Sequence, residues 1–210
     1  MVVCSGRYNI ECSTRYSSVH NGDVSRRDQL LDQVTDHVLE HGLIGLTLRP
    51  VAASIGTSDR MLLYHFGSRD ELVTAVVTRT EERAVAGIDA LPAADGVRAG
   101  VNRLWEAYQR DPLHGCLDIY VQAAATGLIG QEPYRSAVRE ANERWIRSLR
   151  EYLVRCGAPA DRVARIVTLV DSSLFGFQLD LATDRPEELA RGVDDLAVAA
   201  AAIAAGTMPG

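Results

Sequence analysis

The fold of this chain is decided by residues 47–72, which read TLRPVAASIGTSDRMLLYHFGSRDEL. Gly56 separates two short runs of helix-forming residues, and glycine suits a tight turn because it has no Cβ to clash outside the right-handed helical region. Thr47 and Ser58 stand where the two runs begin and are suitable N-cap residues. Five apolar side chains on these runs are expected to form a small shared core: Val51, Ala52, Ile55, Leu62 and Phe66. The stretch therefore predicts a helix-turn-helix.

The sequence is also helical on both sides of this motif. Upstream, apolar residues recur at helical spacing between Ser25, a suitable N-cap, and Gly42, a suitable C-cap. Downstream, Ser68 followed three residues later by Glu71 is typical of a capping box and begins a fourth helix. Further helices, each bounded by glycine or proline, are predicted over 94–110, 116–129, 134–156, 159–183 and 186–205. Since no strand pattern longer than a few residues occurs, the predicted fold class is all-α.

The pattern divides the chain of 210 residues into three parts. Residues 1–24 have no sustained apolar period, which predicts a flexible N-terminal arm. Residues 25–72 hold the helix-turn-helix domain, with a connector helix from residue 68, and residues 73–210 form a helical bundle. A chain of this length buries roughly 70% of its unfolded surface, so it needs neither a disulfide nor a metal to hold its core.

Composition and terminal features indicate a cytoplasmic protein. Hydrophobic residues make up 47% and charged residues 24% of the chain, as in ordinary globular proteins. No stretch of about 18 apolar residues predicts a membrane span, and the N-terminus lacks the pattern of a secretory signal. The four cysteines include no C-x-x-C pair, which favours reduced thiols in the cytosol.

The sequence contains no recognisable catalytic constellation. A nucleophile elbow, a G-x-G-x-x-G loop and a phosphate-loop lysine are all missing, and every one of the 22 basic residues is an arginine. His37, Glu40 and His41 share one helical turn, but their order differs from that of a zinc protease, and an exposed polar face explains them better. We therefore expect a protein that is not an enzyme and that has no metal and no cofactor.

Residues 30–72, and above all the LLYHFGSRDEL of residues 62–72, resemble the DNA-binding domain of TetR-type transcriptional regulators. The resemblance implies that the helix starting near Ser58 is the recognition helix, which enters the major groove. It also implies that Thr47 and Arg69 hold phosphates, and that Tyr64 replaces a DNA contact at the preceding position, where this chain has Leu63. The implied DNA-binding residues are Thr47, Thr57, Ser58, Asp59, Arg60, Met61, Tyr64, His65 and Arg69.

Three residues in the recognition helix each allow more than one role. Arg60 can read a guanine, bind a phosphate or pair with Asp59. Asp59 itself favours the positive end of the helix or accepts from a cytosine amine, and Met61 contacts a thymine methyl or packs internally. Residues 26–72 carry five arginines and seven acids, a net charge of −2. This acidity predicts modest non-specific affinity and tight binding at a fitting operator alone.

The resemblance further implies a small-molecule pocket in the second domain, lined by its middle helices. Aromatic residues there are in the first place candidates for the core, but bundles also place ligands between helices. The candidate residues, with polar anchors among them, are Trp105, Tyr108, Tyr120, Gln122, Asn142, Trp145, Asp171 and Phe175. The effector is expected to be a partly apolar small molecule.

The last two predicted helices resemble the dimer interface of the family. They are rich in small residues that allow close helix approach: Ser172, Ser173, Gly176, Ala197 and Ala199 to Ala202. A two-fold homodimer would read a near-palindromic double-stranded operator. The sequence thus favours a repressor released from DNA by its ligand. An activator, a ligand-independent regulator and a helical small-molecule carrier without DNA function remain the alternatives.

Overall fold

The computed structural model describes the backbone of residues 11–208 and the side chains of residues 26–208. Within that part the chain forms nine α-helices and no β-strand, which confirms the predicted fold class. The helices are α1 Glu11–His41, α2 Leu48–Ser54, α3 Asp59–Phe66, α4 Arg69–Asp89, α5 Val97–Tyr108, α6 Leu113–Leu128, α7 Tyr134–Arg155, α8 Val163–Asp180 and α9 Pro186–Ala205.

The start of α1 differs from its prediction, whereas α2 to α9 begin and end close to the predicted positions. Ser25 lies inside α1 and is not its N-cap, because the backbone is helical from Glu11 onward. No proline interrupts residues 11–24, and a segment without apolar periodicity can still continue a helix. The flexible arm over residues 1–24 stays a prediction, and its residues 1–10 lie outside the described residues.

Serine caps and one glycine fix α3 against its neighbours. The hydroxyl of Ser58 accepts the backbone N–H of Met61 at 3.2 Å, and that of Ser68 accepts the N–H of Glu71 at 3.1 Å, so both predicted N-caps are confirmed. Gly67, between α3 and α4, has φ +81, and an oxygen of Glu71 lies 2.0 Å from where a Cβ would stand. A side chain at this position would displace the flexible carboxylate of Glu71, and the positive φ would strain any residue with a Cβ.

The N-terminal core extends beyond the predicted boundary at residue 72. Val51, Ala52, Leu62 and Phe66 are buried as predicted, and Ile55 packs against them partly buried. The same cluster contains residues of α4, α6 and α7: Val73, Val76, Val77, Ile119, Ala123, Tyr134, Ala137 and Ala141. The helix-turn-helix and the bundle therefore share one apolar core, so a shift of α4 or α6 is felt beneath α3.

The second core lies within the bundle of α4 to α9. Tyr108 and Tyr152 are fully buried there, and α9 packs against α5 and α8. Ala197 and Ala200, two members of the predicted small-residue interface, have no exposed surface and face this core. Val198 of α9 is 46% exposed, so the face of α9 that points away from this core is accessible to solvent. Dimerisation through these helices stays a prediction.

No helix within residues 11–208 combines the length and the apolar character needed to cross a bilayer.

Candidate DNA-binding surface and ligand pocket

Helix α3 turns one face to the core and the other to solvent. Leu62 and Phe66 are buried, whereas Tyr64 is 70% exposed and Met61 is 41% exposed. Leu63, the position at which the chain departs from the family, is 40% exposed beside them. The apolar groups on the outer face are thus accessible to a partner and do not contribute to the core.

The first turn of α3 leaves its arginine available. Oδ1 of Asp59 accepts the backbone N–H of Arg60 at 2.9 Å, which holds the carboxylate at the positive end of the helix. Arg60 is exposed, and its guanidinium takes part in no ion pair among residues 26–208. Thr57 is half-buried and Ser58 exposed in the turn just before the helix. Arg60 can therefore reach a base or a phosphate without first breaking an internal pair.

The two predicted phosphate-binding residues differ in how many hydrogen bonds their side chains already make within the protein. Thr47 occupies the N-cap position of α2, and its side chain makes no capping hydrogen bond. Arg69 donates from Nε to the carbonyl of Leu46 at 2.9 Å, from Nη1 to Asp70 at 3.2 Å and from Nη2 to the hydroxyl of Tyr134 at 3.1 Å. Since a guanidinium has five N–H donors, two remain for a phosphate.

The end of α3 is anchored by an arginine of α1. Nε of Arg27 donates to the carbonyl of His65 at 3.3 Å, and its guanidinium lies 5.0 Å from the ring centroid of Phe66. The His65 ring lies edge-on to that of Tyr64, with the centroids 5.1 Å apart. This anchor was not predicted, because it joins residues almost forty positions apart in the sequence.

The acidic residues of α1 pair with arginines of α4. Nη1 of Arg79 lies 3.1 Å from Oδ1 of Asp32, and Nη1 of Arg83 lies 2.6 Å from Oδ1 of Asp36. These half-exposed pairs contribute little to stability individually. Their effect is electrostatic, because they compensate part of the acidity that the sequence assigned to the helix-turn-helix domain.

An apolar pocket lies between α4, α6, α7 and α8, and its empty space of about 370 Å³ includes open solvent at the mouth. Its walls combine aliphatic and aromatic groups with a single carboxylate: Val77, Thr80, Glu81, Ala84, Cys116, Leu117, Ile119, Tyr120, Trp145 and Phe175. Burial raises the pKa of the Cys116 thiol to about 11, so this side chain is a neutral part of the wall. Little of this space is enclosed, so a small organic molecule can enter only if the side chains of the wall move apart.

Three of the predicted pocket residues lie in this wall. The rings of Tyr120 and Phe175 pack with centroids 5.1 Å apart, and the indole N–H of Trp145 donates to Oδ1 of Asp171 at 2.8 Å. Tyr120 donates its hydroxyl proton to Oδ1 of Asn142 at 3.4 Å. Burial, assisted by the nearby Asp171, raises the pKa of Tyr120 to about 12. Asp171 and Asn142 thus do not line the pocket, but they accept hydrogen bonds from the wall residues Trp145 and Tyr120.

The remaining predicted pocket residues lie elsewhere in the bundle. Trp105 packs against Phe177, with ring centroids 6.1 Å apart. Tyr108 is fully buried, with its ring 5.9 Å from that of Trp145. Gln122 is on α6 outside the pocket wall, and its Oε1 accepts the backbone N–H groups of residues 43 and 44 at 2.7 and 3.1 Å.

The lining residues of α4 were missed by the sequence analysis. Val77, Glu81 and Ala84 recur at helical spacing on one face of that helix. An acid, Glu81, within an otherwise apolar stripe was the sequence signal that could have found them. It was overlooked because this helix was interpreted as a connector.

His37 and His41 stack on the surface of α1, with ring centroids 4.1 Å apart. In the part of the chain whose side chains are described, no group of three or more His, Cys, Asp or Glu residues is arranged to hold a metal ion.

A protein-family model described as bacterial regulatory proteins, tetR family, matches residues 37–76, which run from the end of α1 into α4. Residues 37–76 therefore match the tetR family, and the N-terminal part of the chain that holds them is referred to as the tetR-family domain. Its exposed α3 stands where the recognition helix of that family is expected.

Solved structures resemble the chain well beyond its tetR-family domain. A transcriptional regulator from Rhodococcus sp. Rha1 covers 82% of this chain and 94% of its own, with 19% identity and a TM-score of 0.61. The match to the multidrug binding protein EbrR, solved with proflavin, covers 81% of this chain and 97% of EbrR, with 24% identity and a TM-score of 0.60. The match to Salmonella enterica GusR covers 86% of this chain and 93% of GusR, with 17% identity and a TM-score of 0.59. At these identities the likeness shows a shared fold. No curated protein matches the chain.

Two polar contacts connect the tetR-family domain to the bundle. Gln122 of α6 holds the loop between α1 and α2, and Tyr134 of α7 holds Arg69 at the start of α4. Tyr120, two residues before Gln122, is in the pocket wall. A displacement of α6 by a ligand would therefore pull directly on the loop that precedes the helix-turn-helix.

Proposed function

We propose that this chain is a DNA-binding transcriptional regulator, and more specifically a repressor that leaves its operator when a small molecule fills the pocket. One observation carries the proposal. Val77 and Ile119 belong both to the pocket wall and to the apolar core beneath α3. A ligand that pushes on either side chain therefore acts on the support of the DNA-binding surface.

The family supports the DNA-binding half of this proposal, and related folds support the ligand-binding half. The tetR-family domain presents an exposed arginine and an exposed tyrosine on α3. EbrR, which shares the fold, was solved in complex with imidazole and with proflavin. We propose that the chain acts in the cytoplasm, without enzymatic activity, as a homodimer joined by α8 and α9, so that two copies of α3 read a near-palindromic operator.

Release follows if the ligand favours a dimer in which the two α3 helices no longer match the spacing of the half-sites. The ligand need only bind that state more tightly than the DNA-binding state. Moving operator occupancy from 99:1 to 1:99 requires about 5.5 kcal/mol of differential affinity. A dimer supplies two pockets, so each contributes roughly half of that amount.

The DNA-binding half is tested by selecting fragments of sheared genomic DNA from the source organism with the purified full chain. We expect enrichment of a near-palindrome with two half-sites spaced about one helical turn apart. A folded dimer that enriches no sequence at low salt would contradict the regulator. The carrier without DNA function would then be the better explanation.

The release half is tested by screening small molecules for loss of operator binding, in parallel with variants that obstruct the pocket. Ala84→Leu adds bulk to the pocket wall, whereas Ala86→Leu adds the same bulk at an exposed position of the same helix. We expect the first variant to lose its response to an active compound and the second to keep it. An equal response in both variants would place the effector site elsewhere.

A further inference from the structure

The carboxylate of Glu81 is buried in the pocket wall with one oxygen unused. Its side chain is 4% exposed, and its Oε2 accepts from Nε of Arg144 at 2.8 Å. Its Oε1 has no hydrogen-bond partner among the described residues. The polar neighbours in the wall are already satisfied, since Thr80 donates to a backbone carbonyl and Tyr120 to Asn142. A buried acceptor of this kind is costly until a donor reaches it.

A second carboxylate stands directly behind the same wall. Asp171 lies one helical turn before Phe175 on α8, so the two side chains share a face of that helix. The indole N–H of Trp145 is its hydrogen-bond donor. Burial raises the pKa of Asp171, this indole lowers it, and no positively charged side chain contributes to the shift. When ionised, Asp171 therefore adds a negative charge that no arginine compensates.

Glu81 and Asp171 contribute two negative charges when both are ionised, and among the described residues Arg144 is the one guanidinium bonded to either of them. That guanidinium, of Arg144, is 42% exposed and binds Oε2, so it does not cover Oε1. Aromatic rings form the neighbouring wall, and their faces attract cations. A neutral ligand would satisfy Oε1 but would leave the uncompensated charge.

We propose that the pocket binds a compact organic monocation, whose charged group lies near Glu81 Oε1 and whose apolar body contacts the rings of Tyr120, Trp145 and Phe175. This inference specifies the effector of the proposed regulator and rests on the pocket being its effector site. A monocation balances the local charge and leaves the ion pair with Arg144 intact. A ligand of this class also fits a wall that is mostly apolar.

Two probes of the same size and shape separate charge from apolar fit. Cumylammonium carries an NH3+ group, which can donate to Oε1, where tert-butylbenzene has a methyl group of the same shape. We expect calorimetry on the full chain to give at least tenfold tighter binding of the ammonium ion. Equal affinity, or tighter binding of the hydrocarbon, would overturn the proposal and leave Glu81–Arg144 as a structural ion pair.

Three variants assign the preference to the named carboxylates. Glu81→Gln and Asp171→Asn keep an acceptor while removing one charge, and each should weaken binding of the ammonium ion at least fivefold without changing that of the hydrocarbon. Arg144→Gln should tighten binding of the ammonium ion, a gain that a purely structural ion pair would not produce. Glu143→Gln, at an exposed position on the same helix as Arg144, is the control and should change neither affinity.

If Glu81→Gln fails to fold, the other two variants still decide the matter, because they predict changes of opposite sign. Variants that shift both probes equally, or neither, would overturn the proposal. The same preparations are assayed for operator binding. A protein that responds on DNA to neutral compounds alone refutes the cation and retains the regulator, whereas a protein that prefers the ammonium ion but selects no DNA refutes the regulator and retains the cation site.

Discussion

The α3 surface and the pocket both use charged and aromatic residues, but these residues are exposed to water on α3 and buried in the pocket. On α3, Arg60 and Tyr64 project into water, where salt screens charge and each contact contributes modestly. In the pocket, Glu81 and Trp145 are buried, so a single charge or a single ring has a large effect. The difference teaches that changes on α3 should alter affinity for DNA at nearly constant stability, whereas changes in the pocket should alter both stability and ligand binding.

The largest expected effect comes from removing an aromatic ring of the pocket, and the matched removal on α3 should leave stability almost unchanged. Trp145→Ala should lower the free energy of unfolding by about 3–5 kcal/mol, because it leaves a cavity in the wall shared with Tyr108 and Asp171. Tyr64→Ala, at a 70% exposed position, should change it by less than about 0.5 kcal/mol and weaken DNA binding. Urea unfolding measures both variants, and similar losses would remove the contrast between the regions.

The next effect concerns the contact that joins the two regions. Gln122→Ala leaves the backbone N–H of Leu43, a fully buried residue, without its acceptor and should cost about 1–3 kcal/mol of stability. It should also reduce the factor by which ligand weakens operator binding. Titrations of operator with and without an active compound measure that factor. Gln131→Ala, at an exposed position, is the control, and a full response in Gln122→Ala would exclude this contact from the coupling.

Arginines on the DNA side should separate base reading from phosphate binding. Arg60→Ala should relax the preference at one base pair by about 1–3 kcal/mol, and Arg69→Ala should weaken all sequences alike and flatten the salt slope by about 1. Binding is measured on an operator library at several salt concentrations, with the exposed Arg150→Ala of α7 as control. Equal, sequence-independent losses for both would rule out base reading by Arg60.

The smallest effect is the pH dependence contributed by Asp171. Because burial raises its pKa, the folded state binds this proton more tightly than the unfolded chain does. The resulting stabilisation is complete below the unfolded pKa of about 3.9 and is lost as pH rises through the higher folded value. Asp171→Asn should therefore gain stability relative to the parent as pH rises from about 4 to 7. Unfolding curves across that range that show a constant difference would contradict it.

Local signals made most of the fold predictable. Ser58, Gly67 and Ser68 specify the ends of α3 and α4 through side-chain caps and a positive φ, which depend on neighbours within a few residues. The start of α1 was wrong because apolar periodicity stops at a place where the helix does not. The shared core was not predictable, since Ile119 and Ala137 reach it only through the packing of α6 and α7.

The candidate sites divide in the same way. The outward face of α3 follows from helical spacing once Leu62 and Phe66 are assigned to the core. The pocket depends on which faces of four helices meet, so aromatic character identified Tyr120, Trp145 and Phe175 but also pointed to Trp105, which packs elsewhere. Glu81 was missed because α4 was interpreted as a connector, and its burial against Arg144, more than sixty residues away, is not visible in the local sequence.

Trp145, whose indole N–H donates to Asp171, is an intrinsic fluorophore in the wall of the pocket. The chain has two tryptophans, and both lie in the bundle. Emission from Trp145 should respond to an occupant of the pocket, whereas DNA on α3 approaches neither indole. If the two sites are coupled, DNA binding must affect the pocket just as the ligand affects DNA binding. A change in tryptophan emission on adding operator DNA alone would therefore report this reverse effect, from the DNA-binding surface to the pocket.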